Sequence, residues 1–336
     1  MKHNNYFQYF LDNTVNLSKA NLELLSRRVD TVYGVLKDDD ELGPLIKKKI
    51  PQGSWPQKTI IRPQNGNAFD GDFMVQMLEN VEWEAEKKKY GDAVYRVLHN
   101  TWPYKDMPHG RKCRCVYLNY ADNAMHLDIV PFVLRDDGTQ WIINRDNNTW
   151  ERTDTDGFTA WMKAQDAIAN KHLREVIRII KFLRDHRNSF TGTKSILLTT
   201  MLGNQVKEWH TIGDPGYYAD LPTALLHIVS DLDEWLQLNP SKPMIMDPAG
   251  TGTSFDHRWT QETYAYFRDR IHVHAAEIEA AYHETDFDKS VKKWQTLFGD
   301  GFCAPDSSGA SGKYSALGTG VGGAGSTSLT LPGRAG

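Results

Sequence analysis

Residues 69–73, Phe-Asp-Gly-Asp-Phe, and residues 126–130, His-Leu-Asp-Ile-Val, are two apolar stretches with acids in their interior. Both read as strands, in which Asp70 and Asp72 project from the same face while Gly71 points to the other. Carboxylates held together without a cation repel each other, and Asp128 in an apolar strand is costly without a positive partner. Magnesium prefers such oxygen ligands. The pattern therefore predicts a divalent metal site.

A turn that can hold phosphate precedes the first acidic stretch. Residues 52–59 read Gln-Gly-Ser-Trp-Pro-Gln-Lys-Thr. Gly53 permits close approach of the backbone, and the hydroxyl and N–H groups around Ser54 can bind phosphate oxygens. Taken alone, the turn is equally well explained as an ordinary strand connection, and a lone pair of acids as solvated side chains. Together they favour a site for a metal and a phosphorylated ligand.

Composition limits the classes of partner and the compartment. The 336 residues include 43 acidic and 39 basic side chains, a net charge of −4, which disfavours nucleic acid and anionic membranes as partners. Three cysteines cannot build a disulfide framework, and the N-terminus has no apolar signal-peptide core. No stretch approaches about 18 consecutive apolar residues. We therefore expect a cytoplasmic protein without a membrane-spanning helix.

Periodicity divides the chain into a mixed half and a helical half. Strands are predicted at 69–77, 113–120 and 125–134, with a hairpin over 140–152 and helices at 14–36 and 83–99. Further helices are predicted at 158–187, 194–209, 221–238, 260–283 and 286–298. The expected domains are a catalytic core with the long N-terminal helix at 1–157, a helical domain at 158–302, and a flexible Gly/Ser-rich tail at 303–336.

The motifs and their order resemble a known family. The Gly53-Ser54 turn, the Asp70-Gly71-Asp72 strand and residues 127–131, Leu-Asp-Ile-Val-Pro, are similar to the nucleotidyltransferases of the polymerase-beta-like superfamily. Within it they resemble the bacterial cGAS/DncV-like enzymes, the CD-NTases. Lys181 then matches the family lysine that reaches the donor triphosphate, and Ser195 the serine of the next helix that does the same. The resemblance covers about residues 10 to 303.

The resemblance implies an α+β fold, in which a polymerase-beta-like core packs on a C-terminal, oligoadenylate-synthase-like helical half around an active-site cleft. It implies an enzyme that uses ATP, with other nucleoside triphosphates left open, to make a cyclic di- or trinucleotide messenger in bacterial antiphage (CBASS) signalling. Asp70, Asp72 and Asp128 would be the catalytic ligands of two Mg²⁺ ions, for which Mn²⁺ can substitute. Gly53, Ser54, Lys181 and Ser195 would bind the nucleotide.

Partners follow from the same resemblance. Some family members have their C-terminus conjugated to targets by an E1/E2-like protein, and the chain ends Gly-Arg-Ala-Gly, which makes Gly336 the expected conjugation site. A downstream effector would recognise the product rather than the enzyme. The loop 249–255 replaces an asparagine-containing loop of relatives, so the residues that contact the base are left open.

Two other functions fit the residues less well. A template-free or RNA-terminal nucleotidyltransferase would share the catalytic half but would need a basic groove. A nucleotide-binding regulator without turnover usually lacks a catalytic acid, and all three are present. Other features are interpreted structurally: Cys113 and Cys115 as packing thiols, Trp55 and His126 as packing side chains, and the lysine runs 47–49 and 87–89 as solvated helix faces.

Overall fold

The strands of the N-terminal half form one mixed sheet. The computed structural model describes residues 1–64, 66–120 and 125–305. The strands found there are β1 Ile46–Gln52, β2 Phe69–Met77, β3 His109–Arg111, β4 Val116–Asn119, β5 Met125–Leu134, β6 Gln140–Asn144 and β7 Thr149–Thr153. Their order is β1-β2-β5-β4-β3, and β6 pairs with β5 on one side and with β7 on the other.

The central strands β2 and β5 run parallel, whereas the other pairs are antiparallel. Parallel neighbours need a long crossover, and here it contains helix α3, Lys89–Asn100. The register sets Asp72 opposite Asp128 and Asp70 opposite His126. One face of the sheet thus collects the acids of both strands.

The opposite face of the sheet packs on helix α2, Lys19–Lys37. The helix begins after Ser18, whose hydroxyl accepts a hydrogen bond from the backbone N–H of Asn21. Leu25 is fully buried at the sheet, and a Cβ on Gly71 would overlap its Cδ1 atom. Gly71 therefore allows the close contact between helix and strand that leaves both neighbouring acids on the other face.

Nine further helices are described, and all but one of them build a second core. They are α1 Asn4–Phe10, α3 Lys89–Asn100, α4 Thr155–Ile168, α5 Leu173–His186, α6 Ser195–Gln205, α7 Glu208–Gly213, α8 Leu221–Leu238, α9 Gln261–His283 and α10 Phe287–Phe298. All except α3 lie in the helical half, including α1: Phe7 packs edge-on against Trp294 with ring centroids 4.9 Å apart, and Phe10 against Phe182 at 5.1 Å. The first residues of the chain thus belong to the helical core, and Met1–Ala304 forms one compact unit.

The α+β architecture and the strands at 69–77 and 125–134 are confirmed. Four helix predictions need correction, and the first is the helix predicted over 83–99, which begins at Lys89. The helix predicted from residue 14 begins at Lys19, and the one over 158–187 is broken by Asn170 and Lys171, whose φ angles are 51° and 70°. The helix over 194–209 is two helices, α6 and α7. The division at residue 157 remains a prediction, and most of the predicted tail lies outside the described residues.

Strand β1 was not predicted, and the lysine run 47–49 lies on it rather than on a helix. The strand pairs with β2 and lies at the edge of the sheet. Exposed lysines are common on edge strands, because they discourage pairing with another chain. A run of three lysines between two isoleucines shows neither the two-residue period of a strand nor the 3.6-residue period of a helix, so the sequence does not distinguish an edge strand from a solvated helix face.

Candidate active site

Three carboxylates meet on the open face of the sheet. Asp70 and Asp72 lie two residues apart on β2, and Asp128 faces Asp72 from β5. Burial, together with the charges of Asp128 and Asp70, raises the pKa of Asp72 from 3.8 to about 7. Burial also raises the pKa of Asp70, and the charge of Asp128 adds to this effect. The acids predicted to act together are therefore neighbours, and they repel one another.

Asp128 has cationic and polar partners of its own. Lys112 Nζ lies 3.0 Å from Asp128 Oδ1, and His126 Nε2 lies 2.9 Å from the same oxygen. Burial would raise the pKa of Asp128, but the hydrogen bond with His126 and the charge of Lys112 outweigh it, so this pKa is lowered. His126 in turn contacts Asn119 through Nδ1. Asp128 is thus held ionised and oriented.

Two of these partners were missed or discounted by the sequence analysis. From the sequence, His126 is interpreted as a packing residue, although its place two residues before Asp128 puts both side chains on one face of β5. Lys112 comes from the connection between β3 and β4, and its Nζ also lies 2.8 Å from His126 Nε2. No local pattern marks Lys112, because only the strand order brings it to the acids.

The donor set fits a hard divalent cation. Carboxylate oxygens are the ligands that magnesium takes most readily, and a cation would remove the repulsion that raises the pKa values of Asp70 and Asp72. Within residues 1–64, 66–120 and 125–305, no three Asp, Glu, His or Cys side chains already surround a common point. The ammonium of Lys112 lies against Asp128 instead. Metal binding therefore requires side chains of this site to move.

The turn after β1 touches the acidic site. Gln52 pairs with Asp72, and the next residue, Gly53, has a φ of 68°. A Cβ at Gly53 would overlap Asp72 Oδ2 and lie 3.1 Å from its Cγ. The backbone N–H of Thr59 donates to the carbonyl of Ser54 at 2.9 Å and closes the turn. The structure thus brings the Gly-Ser turn and the acids together, as expected, and Trp55 packs on the sheet core.

Lys181 and Ser195 lie on the helical side of this turn. Lys181 is buried on α5, and its Nζ donates to the carbonyl of Thr59 at 2.7 Å. Burial, with the nearby charge of Arg184, lowers the pKa of Lys181 to about 8. Ser195 is the first residue of α6, and its Oγ accepts a hydrogen bond from Arg184 Nη1 at 3.3 Å. Gly336, the expected conjugation site, lies outside the described residues.

A mixed sheet with acids on two parallel strands, a Gly-Ser turn against them, and a helical half behind the turn define the polymerase-beta-like nucleotidyltransferase fold. Escherichia coli MS115-1 CdnC with ATP superposes with a TM-score of 0.66 at 19% identity, covering 89% of this chain and 98% of that one. Vibrio cholerae DncV, a cyclic AMP-GMP synthase in complex with the linear intermediate pppA(3′,5′)pG, gives 0.70 at 16% identity, covering 89% and 97%.

Sequence comparison agrees with the structural one. Residues 1–166 match the model of the Second Messenger Oligonucleotide or Dinucleotide Synthetase domain. A cyclic AMP-AMP-AMP synthase of Acinetobacter sp. is 22% identical over 300 residues, which are 88% of this chain and 84% of the relative. Together these comparisons support the predicted similarity to bacterial cGAS/DncV-like nucleotidyltransferases, and the predicted fold and enzyme class are confirmed. None of its described helices is both long and apolar enough to cross a membrane.

Proposed function

We propose that this enzyme joins nucleoside triphosphates, ATP among them, into a cyclic di- or trinucleotide second messenger of an antiphage (CBASS) signalling system. The observation that carries the proposal is the group of three carboxylates on one face of the sheet, with Asp72 in contact with the Gly53 turn. The match to a second-messenger synthetase domain and the similarity to a cyclic AMP-AMP-AMP synthase support the cyclic product. The substrates favour a cytoplasmic location.

Asp70, Asp72 and Asp128 are the proposed ligands of two Mg²⁺ ions, with Mn²⁺ as a substitute. When bound, such ions supply an activated hydroxyl nucleophile and neutralise charge on the triphosphate. Asp72 must lose its proton to act as a ligand, and its raised pKa makes this loss harder below neutral pH. Asp128 is already ionised, because Lys112 and His126 stabilise its charge.

The triphosphate is proposed to lie between the turn and α5. The ammonium of Lys181 has three N–H donors, and only one is needed for the carbonyl of Thr59. The other two can bind phosphate oxygens without breaking that contact. Ser195 lies in the first turn of α6, where free N–H groups and the helix dipole favour an anion. Alignment and charge stabilisation of this kind account for most of the catalysis in phosphoryl-type transfers.

The decisive experiment is incubation of the purified protein with all four labelled nucleoside triphosphates and Mg²⁺ or Mn²⁺. Phosphatase treatment follows, and mass spectrometry identifies what survives. A phosphatase-resistant cyclic species is expected. Long linear products that grow on added RNA would instead favour the RNA-terminal enzyme, and triphosphate binding without pyrophosphate release would favour the regulator.

The Asp70→Asn variant tests the metal assignment. It should keep the fold and lose the product, because one ligand oxygen and one negative charge are removed from the site. Asp137→Asn is the matched control, since Asp137 accepts its hydrogen bonds from the neighbouring Thr139 in the exposed β5–β6 turn, away from the acids. Product formation by Asp70→Asn at the wild-type rate would show that the metal assignment is wrong.

The conjugation partner remains a proposal that rests on the C-terminal residues alone. Replacement of Gly336 by Glu should abolish conjugates in cells that carry the whole operon. Unchanged conjugates would remove this partner. An effector that responds to the cyclic product would not need to touch the enzyme.

A further inference from the structure

Three basic side chains of α5 bind three consecutive carbonyl groups of the turn segment. Arg174 Nε donates to the carbonyl of Gln57 at 2.9 Å, and Arg178 Nη1 to that of Lys58 at 2.8 Å. Lys181 Nζ donates to the carbonyl of Thr59 at 2.7 Å. The spacing of four and three residues places all three side chains on one face of the helix.

These contacts join the sheet half to the helical half and differ in burial: the Lys181 contact is buried, the Arg174 contact is half-buried and the Arg178 contact is exposed. Gln57 and Thr59 are 6% and 2% exposed, and Lys181 is 6% exposed. Placing the Lys181 ammonium there is costly, and burial lowers its pKa. An apolar face would join the two halves at lower cost. The cationic donors therefore indicate a role beyond holding the two halves together.

The carbonyl contacts also fix the phosphate-binding end of the segment. The N–H of Thr59 donates to the carbonyl of Ser54, and that of Lys58 to the carbonyl of Trp55 at 3.0 Å. Residues 54–59 are thus closed on themselves. A displacement of the carbonyls at 57–59 would shift Ser54, and with it Gly53 against Asp72.

We propose that Arg174 and Arg178 are positioning residues for nucleotide binding, which hold the Gly53–Ser54 turn against the acidic site through its backbone carbonyls. Lys181, the third donor of the same row, then shares its ammonium between the turn and a phosphate oxygen. The helical half thereby sets the geometry of a loop that belongs to the sheet half. The identity of the ligand as a nucleoside triphosphate rests on the proposed function, whereas the mechanical role of the row does not.

Arg178 is the better of the two residues to test. Arg174 also pairs with the buried Asp166 at 2.6 Å, so its removal would leave a carboxylate without its cation. Arg178 forms no ion pair within 4.0 Å in the part of the chain that the structure describes. Arg178→Met keeps most of the apolar stem and removes the donor. Arg178→Lys restores one.

Arg187 provides a matched control from the end of the same helix. Its Nη1 donates to the carbonyl of Thr296 at 3.1 Å, which is a backbone carbonyl of α10 rather than of the turn, and its Nη2 pairs with Glu277 at 3.4 Å, also away from the turn. Arg187→Met should therefore lower stability without an effect on the turn. Comparison of the two methionine variants at equal loss of stability separates positioning from simple structural support.

Two measurements are made on each variant. Hydrogen–deuterium exchange of residues 53–59 should become at least about tenfold faster in Arg178→Met and stay unchanged in Arg187→Met. The Kd of a non-hydrolysable ATP analogue and the KM for ATP should rise by about tenfold to a hundredfold in Arg178→Met, as expected for a turn displaced by about 1 Å. Arg178→Lys should recover both values to within about threefold of wild type.

The inference is overturned if Arg178→Met matches Arg187→Met in both exchange and KM. Failure of the proposed function has a different signature, because wild-type protein would then neither bind the analogue nor release pyrophosphate. The exchange comparison would still decide in that case whether Arg178 holds the turn. If Arg178→Met does not fold, Arg178→Lys and Arg178→Gln are compared with Arg187→Met in the same way, and equal exchange at 53–59 again overturns the inference.

Discussion

Replacement of Gly53 by alanine should lower activity by about a hundredfold while costing little stability. A methyl group at this position meets Asp72, where it overlaps Oδ2 and approaches Cγ to 3.1 Å. The carboxylate is the end of a short side chain, so it can rotate away and leave the backbone in place. The predicted result is a folded enzyme in which one proposed metal ligand points in the wrong direction.

The two effects of this substitution have different sizes. A φ of 68° is unfavourable for alanine by about 1–2 kcal/mol. The carboxylate must move by on the order of 1 Å, and a misplacement of that size lowers the rate by about a hundredfold, or about 3 kcal/mol of barrier. The stability loss should therefore be small, whereas the loss in kcat/KM should be large.

Gly138→Ala is the control, because Gly138 has a φ of 80° and a methyl group there would meet no atom of the described residues within 4 Å. It carries the same backbone strain in the β5–β6 turn without a clash. Urea unfolding should give similar stability losses for the two variants, and pyrophosphate release should differ by about a hundredfold. A kcat/KM for Gly53→Ala within about threefold of that for Gly138→Ala would refute the reasoning that the turn and Asp72 form one site.

Two further predictions concern stability. Asp72 has a pKa of about 7 in the folded protein and 3.8 as its ordinary value, so between these pH values the folded state binds more protons and wild-type stability falls as pH rises. The pKa difference corresponds to about 1.36 kcal/mol per pH unit. In metal-free urea unfolding, the free energy of unfolding of Asp72→Asn should exceed that of wild type by up to about 4 kcal/mol at about pH 8 and should equal it at about pH 4. An equal difference at both pH values would contradict the burial of this charge. Phe7→Ala should lower the free energy of unfolding by about 3–5 kcal/mol in the same assay, because the fully buried ring packs between Trp294 and Phe302. A loss below about 1 kcal/mol would show that α1 is not part of the helical core.

The acidic part of the site was predictable because it depends on local rules. The alternation of side chains along a strand places Asp70 and Asp72 on one face, and the cost of a lone carboxylate in an apolar strand marks Asp128. The same rule applied to His126 would have added it to the site. These inferences need no knowledge of the strand order, which is why sequence alone supports them.

Contacts between distant segments were not predictable in this way. Lys112 reaches Asp128 only because β4 pairs with β5, and Arg178 reaches Lys58 only because α5 packs behind the turn. The break at Asn170 and Lys171 has a related cause, since the apolar spacing continues across it and neither Gly nor Pro marks the end of α4. Asparagine tolerates the left-handed conformation, but it also occurs inside uninterrupted helices, so its presence does not mark a break.

Burial gives the two sides of the turn opposite and complementary properties. On one side it raises the pKa of Asp72, so the carboxylate is not fully ionised at neutral pH; on the other it lowers the pKa of Lys181, so the ammonium is not fully charged. A cation at Asp72 and an anion at Lys181 would each restore the charged form of its partner. Because Gly53 touches Asp72 and Thr59 holds Lys181 within one closed turn, both ligand charges would be received by a single rigid element. A turn with carboxylates on one side and cations on the other is therefore suited to a triphosphate that arrives with its metal rather than to either alone.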